Sequence, residues 1–171
     1  TVISVIKDKK IDFFVNRIET FNPLTSENLI KMSEKITEVT KDILPDEKID
    51  CVAYGCTSGT IAAGYNSIEE KIKKAKPNTS VTTPSTAAVN ALKKLDIKKI
   101  YLFTPYPKKL NDEVIEFFKK EGFEITSNSY FDIESDIDIG KVDPEYLYEV
   151  LSTINLNDAD ALFISCTALP A

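Results

Sequence analysis

Parallel β-sheets covered by helices, an α/β architecture, are what this sequence predicts, and three observations predict it. Short apolar runs of strand length alternate with stretches whose apolar residues recur at helical spacing, the pattern of parallel strands joined by helical crossovers. Two of the runs end in Cys-Thr: VAYGCTSG around Cys56 and LFISCTAL around Cys166. Elements of the same kind surround both motifs at an offset of 110 residues, so the chain reads as two copies of one unit.

Taken in order, residues 2–9 fit the tail of a helix and 11–15 a strand, closed by Asn16 to Ile18 and broken at Asn22-Pro23. Thr25 or Ser26 caps the next helix, along which Leu29, Met32, Ile36, Val39 and Ile43 recur at helical spacing until Pro45. A strand over 49–54 leads into Cys56. A helix over 66–76 follows, with Ile68, Ile72 and Ala75 on one face and a Lys-rich run, 71–76, read as its solvated side. Residues 80–83 form a strand and Pro84 opens a helix whose inner side is Ala88, Ala91, Leu92 and Leu95. Residues 100–103 are a buried strand. Leu110, Val114, Phe117 and Phe118 mark an amphipathic helix that stops at Gly122. A strand runs from 123 towards Tyr130, an acidic loop covers 132–138, and Pro144 starts a helix bearing Leu147, Val150, Leu151 and Ile154. The last strand, 161–165, ends at Cys166. The two units are residues 1–95 and 96–171. Strand 11–15 maps onto 123–127, and the helix after Asn22 onto the one after Pro144. Strand 100–103 has no counterpart before Thr1, nor the elements at 66–83 any after Ala171. Unpaired edges would result, so the expectation is a chain incomplete at both ends.

Composition narrows the function. A net charge of −6 argues against nucleic acid as partner, and no apolar run has the length of a membrane span. Three cysteines do not make a disulfide framework and suit a reducing, cytoplasmic setting. There is no histidine, so any reactive cysteine works without an imidazole base. Arg17 is the only arginine among 21 basic residues; it could pair with a carboxylate or be merely exposed.

Cys56 stands where a strand turns into a helix, among N–H groups that lack intrahelical acceptors. That field favours an anion: it lowers a thiol pKa and can hold a carboxylate. Gly55, Ser58 and Gly59 are small enough to let a ligand reach the backbone. The alternative is a buried cysteine followed by a helix cap. The repeat supplies Cys166 as its partner, and both end parallel strands, where open α/β sheets bind ligands. Cys51 reads as a small buried apolar residue. Zinc on Cys51, Cys56 and Cys166 is disfavoured, because no CxxC pair and no histidine accompany them.

YGCTSG at 54–59, TTPSTAA at 82–88, TPYP at 104–107, IGKVDP at 139–144 and SCTAL at 165–169 together resemble the aspartate/glutamate racemase superfamily. The likeness is to its maleate cis-trans isomerase and arylmalonate decarboxylase branch in particular. The resemblance implies two pseudo-symmetric, flavodoxin-like lobes with an active site between them, a small carboxylate as substrate, no cofactor and a homo-oligomer. It implies Cys56 and Cys166 as catalytic residues, with Gly55, Thr57, Ser58, Thr83, Tyr106, Thr167 and Ala168 holding substrate; Thr83 and Ser85 fit helix caps equally well. Two filled cysteine positions suit racemisation or maleate isomerisation better than arylmalonate decarboxylation, where the family keeps the second alone. Ser135 and Asp136 fall near the place where maleate isomerases tend to carry a substrate-binding asparagine. A carboxylate-binding protein with inert thiols is the non-enzymatic reading.

Overall fold

Five parallel strands in two sheets make the frame, seen in a computed structural model that describes residues 10–170. The helix expected over 2–9 lies outside the described residues. Strand β1 (Cys51–Ala53) pairs with β2 (Ser80–Thr82). In the second sheet β3 (Lys99–Thr104) lies between β4 (Glu124–Tyr130) and β5 (Ala161–Ile164). Ile100, Tyr101, Leu102 and Phe103 are all buried. A central parallel strand covered on both faces reads as a continuous apolar run rather than an alternating one.

The helices follow their sequence signals. Thr25 Oγ1 accepts from the Asn28 N–H and starts α1 (Ser26–Ser33). The helical spacing from Leu29 to Ile43 is interrupted, because α2 (Ile36–Lys41) is a separate segment. Cys56 begins α3 (Thr57–Ala63), and α4 (Tyr65–Ala75) buries Ile68 and Ile72. Pro84 is the first residue of α5 (Pro84–Lys94), α6 (Lys108–Lys120) buries Leu110, Val114 and Phe118, and Gly122 at φ +94° ends the latter. A short α7 (Asp136–Ile139) precedes α8 (Pro144–Ser152). The repeat shows here with a shifted match: at an offset of 110 residues α1, α2 and β1 fall on α7, α8 and β5, so the capped helix after Asn22 begins opposite α7 and only its second part, α2, matches the helix after Pro144. The two copies also touch at matched places. The Leu24 N–H donates to the Glu134 carbonyl at 2.8 Å, and the Asp136 N–H to Asn22 Oδ1 at 3.2 Å.

Four expectations are corrected. Residues 11–15 form no strand; Ile11, Phe13, Phe14 and Val15 are exposed, and the β1–β2 ladder includes none of them. An apolar run becomes a strand only where a neighbour supplies ladder partners. The inner face of α5 is Ser85, Val89 and Leu92, while Leu95 is 71% exposed at the helix end. Cys51 is exposed at the start of β1 rather than buried. The lysine run is not uniformly solvated. Lys71 Nζ donates to Ser33 and Ser67, and buried Lys76 Nζ donates to the carbonyls of Leu44 and Glu47 at 2.7 and 2.8 Å. Long stems let these lysines bury their methylenes while the ammonium reaches polar groups.

Leu102→Ala at the centre of β3 is expected to destabilise the protein by about 2–5 kcal/mol in chemical denaturation. Leu95→Ala is expected to change stability by less than about 0.5 kcal/mol.

Candidate active site

α3 is the helix against which α1, α4, α5 and α6 all pack, and its first turn is made of small residues. Thr57, Ser58, Gly59 and Thr60 are buried. Gly59 has a specific reason: a Cβ there would meet Tyr54 Oη at 2.6 Å and Cys56 Sγ at 2.9 Å. The glycine foreseen as leaving room for a ligand instead leaves room for these two side chains.

Cys56 is the N-cap of α3. Its Sγ accepts from the Gly59 N–H at 3.2 Å and lies 3.8 Å from Ser58 Oγ. Its carbonyl accepts from the Thr60 hydroxyl at 2.7 Å. Cys166 follows β5 with φ +92°, a left-handed backbone that is costly for a residue with a Cβ. Next to it, the Thr167 hydroxyl donates to the Gly55 carbonyl at 2.6 Å, joining the two Cys-Thr loops directly. Tyr106 is 1% exposed, and its Oη accepts from the Ser165 hydroxyl at 3.4 Å.

A cavity of about 350 Å³ brings these groups together. Gly55, Cys56, Thr57, Ser58, Tyr106, Cys166, Thr167 and Ala168 all line it, so eight of the nine residues expected at the site do. Thr83 does not: its Oγ1 accepts from the Thr86 N–H as the cap of α5. Ser85 is structural too, donating to the Thr57 carbonyl at 2.9 Å from a fully buried position. Arg17 is exposed. Asn16, Tyr54 and Met32 also line the cavity without having been given site roles from sequence, and so does Asp136, which the resemblance had placed near a substrate-binding asparagine. For Asp136 a signal existed, since it heads the second copy's equivalent of α1; for Asn16 the sole signal was its place at the end of an apolar run. Among the described residues no three His, Cys, Asp or Glu side chains converge as metal ligands would.

The electrostatics reverse a simple helix-start argument. Burial pushes the Cys56 thiol up, against the Gly59 N–H and Ser58 hydroxyl that pull it down. Burial likewise raises Cys166, opposed by the Ala168 and Leu169 N–H groups and the Tyr106 hydroxyl. Asp136 adds repulsion to both thiolates. Tyr106 is raised chiefly by burial and then by the charge of Cys166. Desolvation wins because one or two hydrogen bonds replace only part of a thiolate's hydration.

Fold and cavity define an α/β protein in which two strand-end cysteines line one cavity. The chain belongs to the arylmalonate decarboxylase family, whose sequence model matches residues 20–171. It is 27% identical over 174 residues to the maleate isomerase of Geobacillus stearothermophilus, covering 97% of this chain and 68% of that one. The crystal structure of the maleate isomerase Iso from Pseudomonas putida S16 superposes with a TM-score of 0.86 at 21% identity, over 99% of this chain and 71% of that one. A mutant of the Nocardia farcinica maleate cis-trans isomerase, with a covalently bound succinylcysteine intermediate, superposes at 0.80 with 22% identity, over 92% of this chain and 66% of that one.

Two outcomes test the site. Cys166→Gly is expected to be more stable than Cys166→Ala by roughly 1 kcal/mol in denaturant, because glycine relieves the positive φ. Because folding raises both thiol pKa values, their contribution to stability is fully present below the unfolded thiol value of about 8.5. It is lost as pH rises through the folded values. Thermal unfolding across the alkaline range is expected to show a smaller pH-dependent loss in Cys56→Ala than in the unsubstituted protein.

Proposed function

We propose that this protein is a cofactor-independent cis-trans isomerase of a small unsaturated carboxylate of the maleate kind, working through Cys56 and Cys166. The observation that carries the reading is that both thiols line one cavity with Tyr106. The similarity to maleate isomerases supports it.

In this reading the Cys56 thiolate adds to one carbon of the double bond. The S–C bond forms, and the π electrons move onto the neighbouring carbon and its carboxylate. Cys166 gives that carbon a proton, the remaining single bond rotates, and Cys166 takes a proton back as the S–C bond breaks. The product is the trans isomer and both sulfurs recover their starting states. N–H groups at the start of α3 and beside Ala168, with the hydroxyls of Ser58 and Tyr106, hold the carboxylates and the enediolate-like charge. The Thr167 hydroxyl, already donating to Gly55, contributes by fixing the loop. The chemistry needs a nucleophile, a proton carrier and donors, all of which these side chains supply.

One observation favours a second reading, amino-acid racemisation: Asp136 places a carboxylate in the same cavity, where it would pair with an α-ammonium. The two thiols would then exchange the α-proton from opposite faces. Residues 1–95 and 96–171 are taken as the two lobes, in a homo-oligomer working in the reducing cytoplasm. Among the described residues no helix is long and apolar enough to cross a membrane.

Incubation with maleate in deuterated water, followed by NMR, is expected to give fumarate. Cys56→Ala is expected to abolish its formation and Cys166→Ala to slow it by roughly 10²–10⁴-fold. Deuterium entering the α-position of aspartate, with no fumarate from maleate, selects the racemase. Activity retained in both cysteine variants removes the two-thiol mechanism.

A further inference from the structure

Tyr54 ends the run that leads from β1 into the Cys56 turn, and it is 8% exposed. Among the described residues its hydroxyl is the buried side-chain polar atom without a hydrogen-bond partner. Such an atom is costly to bury, and a phenylalanine of the same shape would avoid the cost. Its surroundings suggest where a partner arises. Tyr54 Oη and Cys56 Sγ both approach the open face of Gly59, at 2.6 and 2.9 Å from where a Cβ would sit. The third neighbour there is the Met32 methyl, which offers no acceptor.

We propose that Tyr54 is a positioning residue for Cys56: its hydroxyl is idle beside the neutral thiol and donates to Sγ when the thiolate forms. The idea rests on Cys56 acting as the nucleophile, as set out under the proposed function. A neutral thiol is a weak acceptor and a thiolate a strong one. A bond made in the ionised state alone favours the reacting form without tightening the resting one. Burial and the neighbouring Cys56 charge push the Tyr54 phenol far up, so it keeps its proton and can serve as a donor throughout the neutral range. The other groups facing Cys56 do not replace it. The Gly59 N–H and Ser58 hydroxyl already contact Sγ, whereas Cys166 and Asp136 oppose its charge. The Tyr106 hydroxyl, which also feels the charge of Cys56, takes its hydrogen bond from Ser165.

The test is the pH dependence of Cys56 alkylation by iodoacetamide, read on the Cys56 peptide by mass spectrometry so that Cys51 and Cys166 do not contribute. Tyr54→Phe is expected to raise the apparent Cys56 pKa by about one to two pH units, the size of one hydrogen bond to a charged group. Its Tm is expected to stay level or rise, because the hydroxyl is unpaired in the thiol state. A pKa moved by less than about 0.3 unit overturns the proposal, as does a lower Tm with no pKa change, which marks a purely structural tyrosine. A second readout leaves Tyr54 in place. Ultraviolet difference spectra should show a tyrosine perturbation that grows with the thiolate band and is missing in Cys56→Ala. A thiolate band without that perturbation overturns the proposal too. Labelling does not require turnover. A shifted pKa in a protein that isomerises nothing removes the functional reading and leaves this one, while turnover with an unmoved pKa does the reverse.

Discussion

The hydrogen bond from the Thr167 hydroxyl to the Gly55 carbonyl is the constraint on which the site depends. It joins two loops that are 112 residues apart in the chain, each ending a strand of a different sheet. Neither sheet by itself holds both cysteines. With the Leu24–Glu134 and Asn22–Asp136 contacts, it seats one copy of the repeat against the other. The cavity is what this seam leaves open. Strand ends aim their loops at it because every paired strand is parallel to its neighbours, so each β1- or β5-type strand delivers its Cys-Thr at the carboxyl end.

Crowding around α3 sets the chemistry of that seam. Four helices press on it, so its first turn is built of threonine, serine and glycine, and Gly59 gives up its side chain to Tyr54 and Cys56. The same crowding removes water from both thiols. Their raised pKa values follow from that loss, and the few N–H and hydroxyl donors at hand offset only part of it. Burial of this kind favours the neutral form of both thiols. Cys166 adds backbone strain at φ +92°, tolerated because β5 and the Gly55 contact hold its loop from both sides.

Much of the frame was legible because local signals and tertiary packing agreed. Pro84, Gly122 and the Thr25 cap act within a few residues of themselves, and the continuous apolar run at β3 needs nothing but burial to be a strand. Failures came where the outcome depended on a distant partner. Residues 11–15 have strand-like side chains and no ladder to join. Leu95 continues a helical spacing past the point where the helix still faces the core. Lys71 and Lys76 look like solvent-facing lysines, yet carbonyls and hydroxyls from α1 and the loop after α2 capture them.

By itself, the sequence determined the α/β class, the repeat and the pairing of Cys56 with Cys166, because strand–helix alternation and a duplicated motif are written in residue order. The lack of histidine, also visible there, means that any reactive cysteine works without an imidazole base. Tertiary structure alone decided which candidate side chains are free to meet a ligand. It turned Thr83 and Ser85 into structural hydrogen-bond partners, committed Thr167 to Gly55, brought Asp136 beside the thiols and left the Tyr54 hydroxyl unpaired. The physical reason is that a hydroxyl's role depends on which donors and acceptors lie within about 3 Å, and those neighbours come from parts of the chain that no local pattern connects.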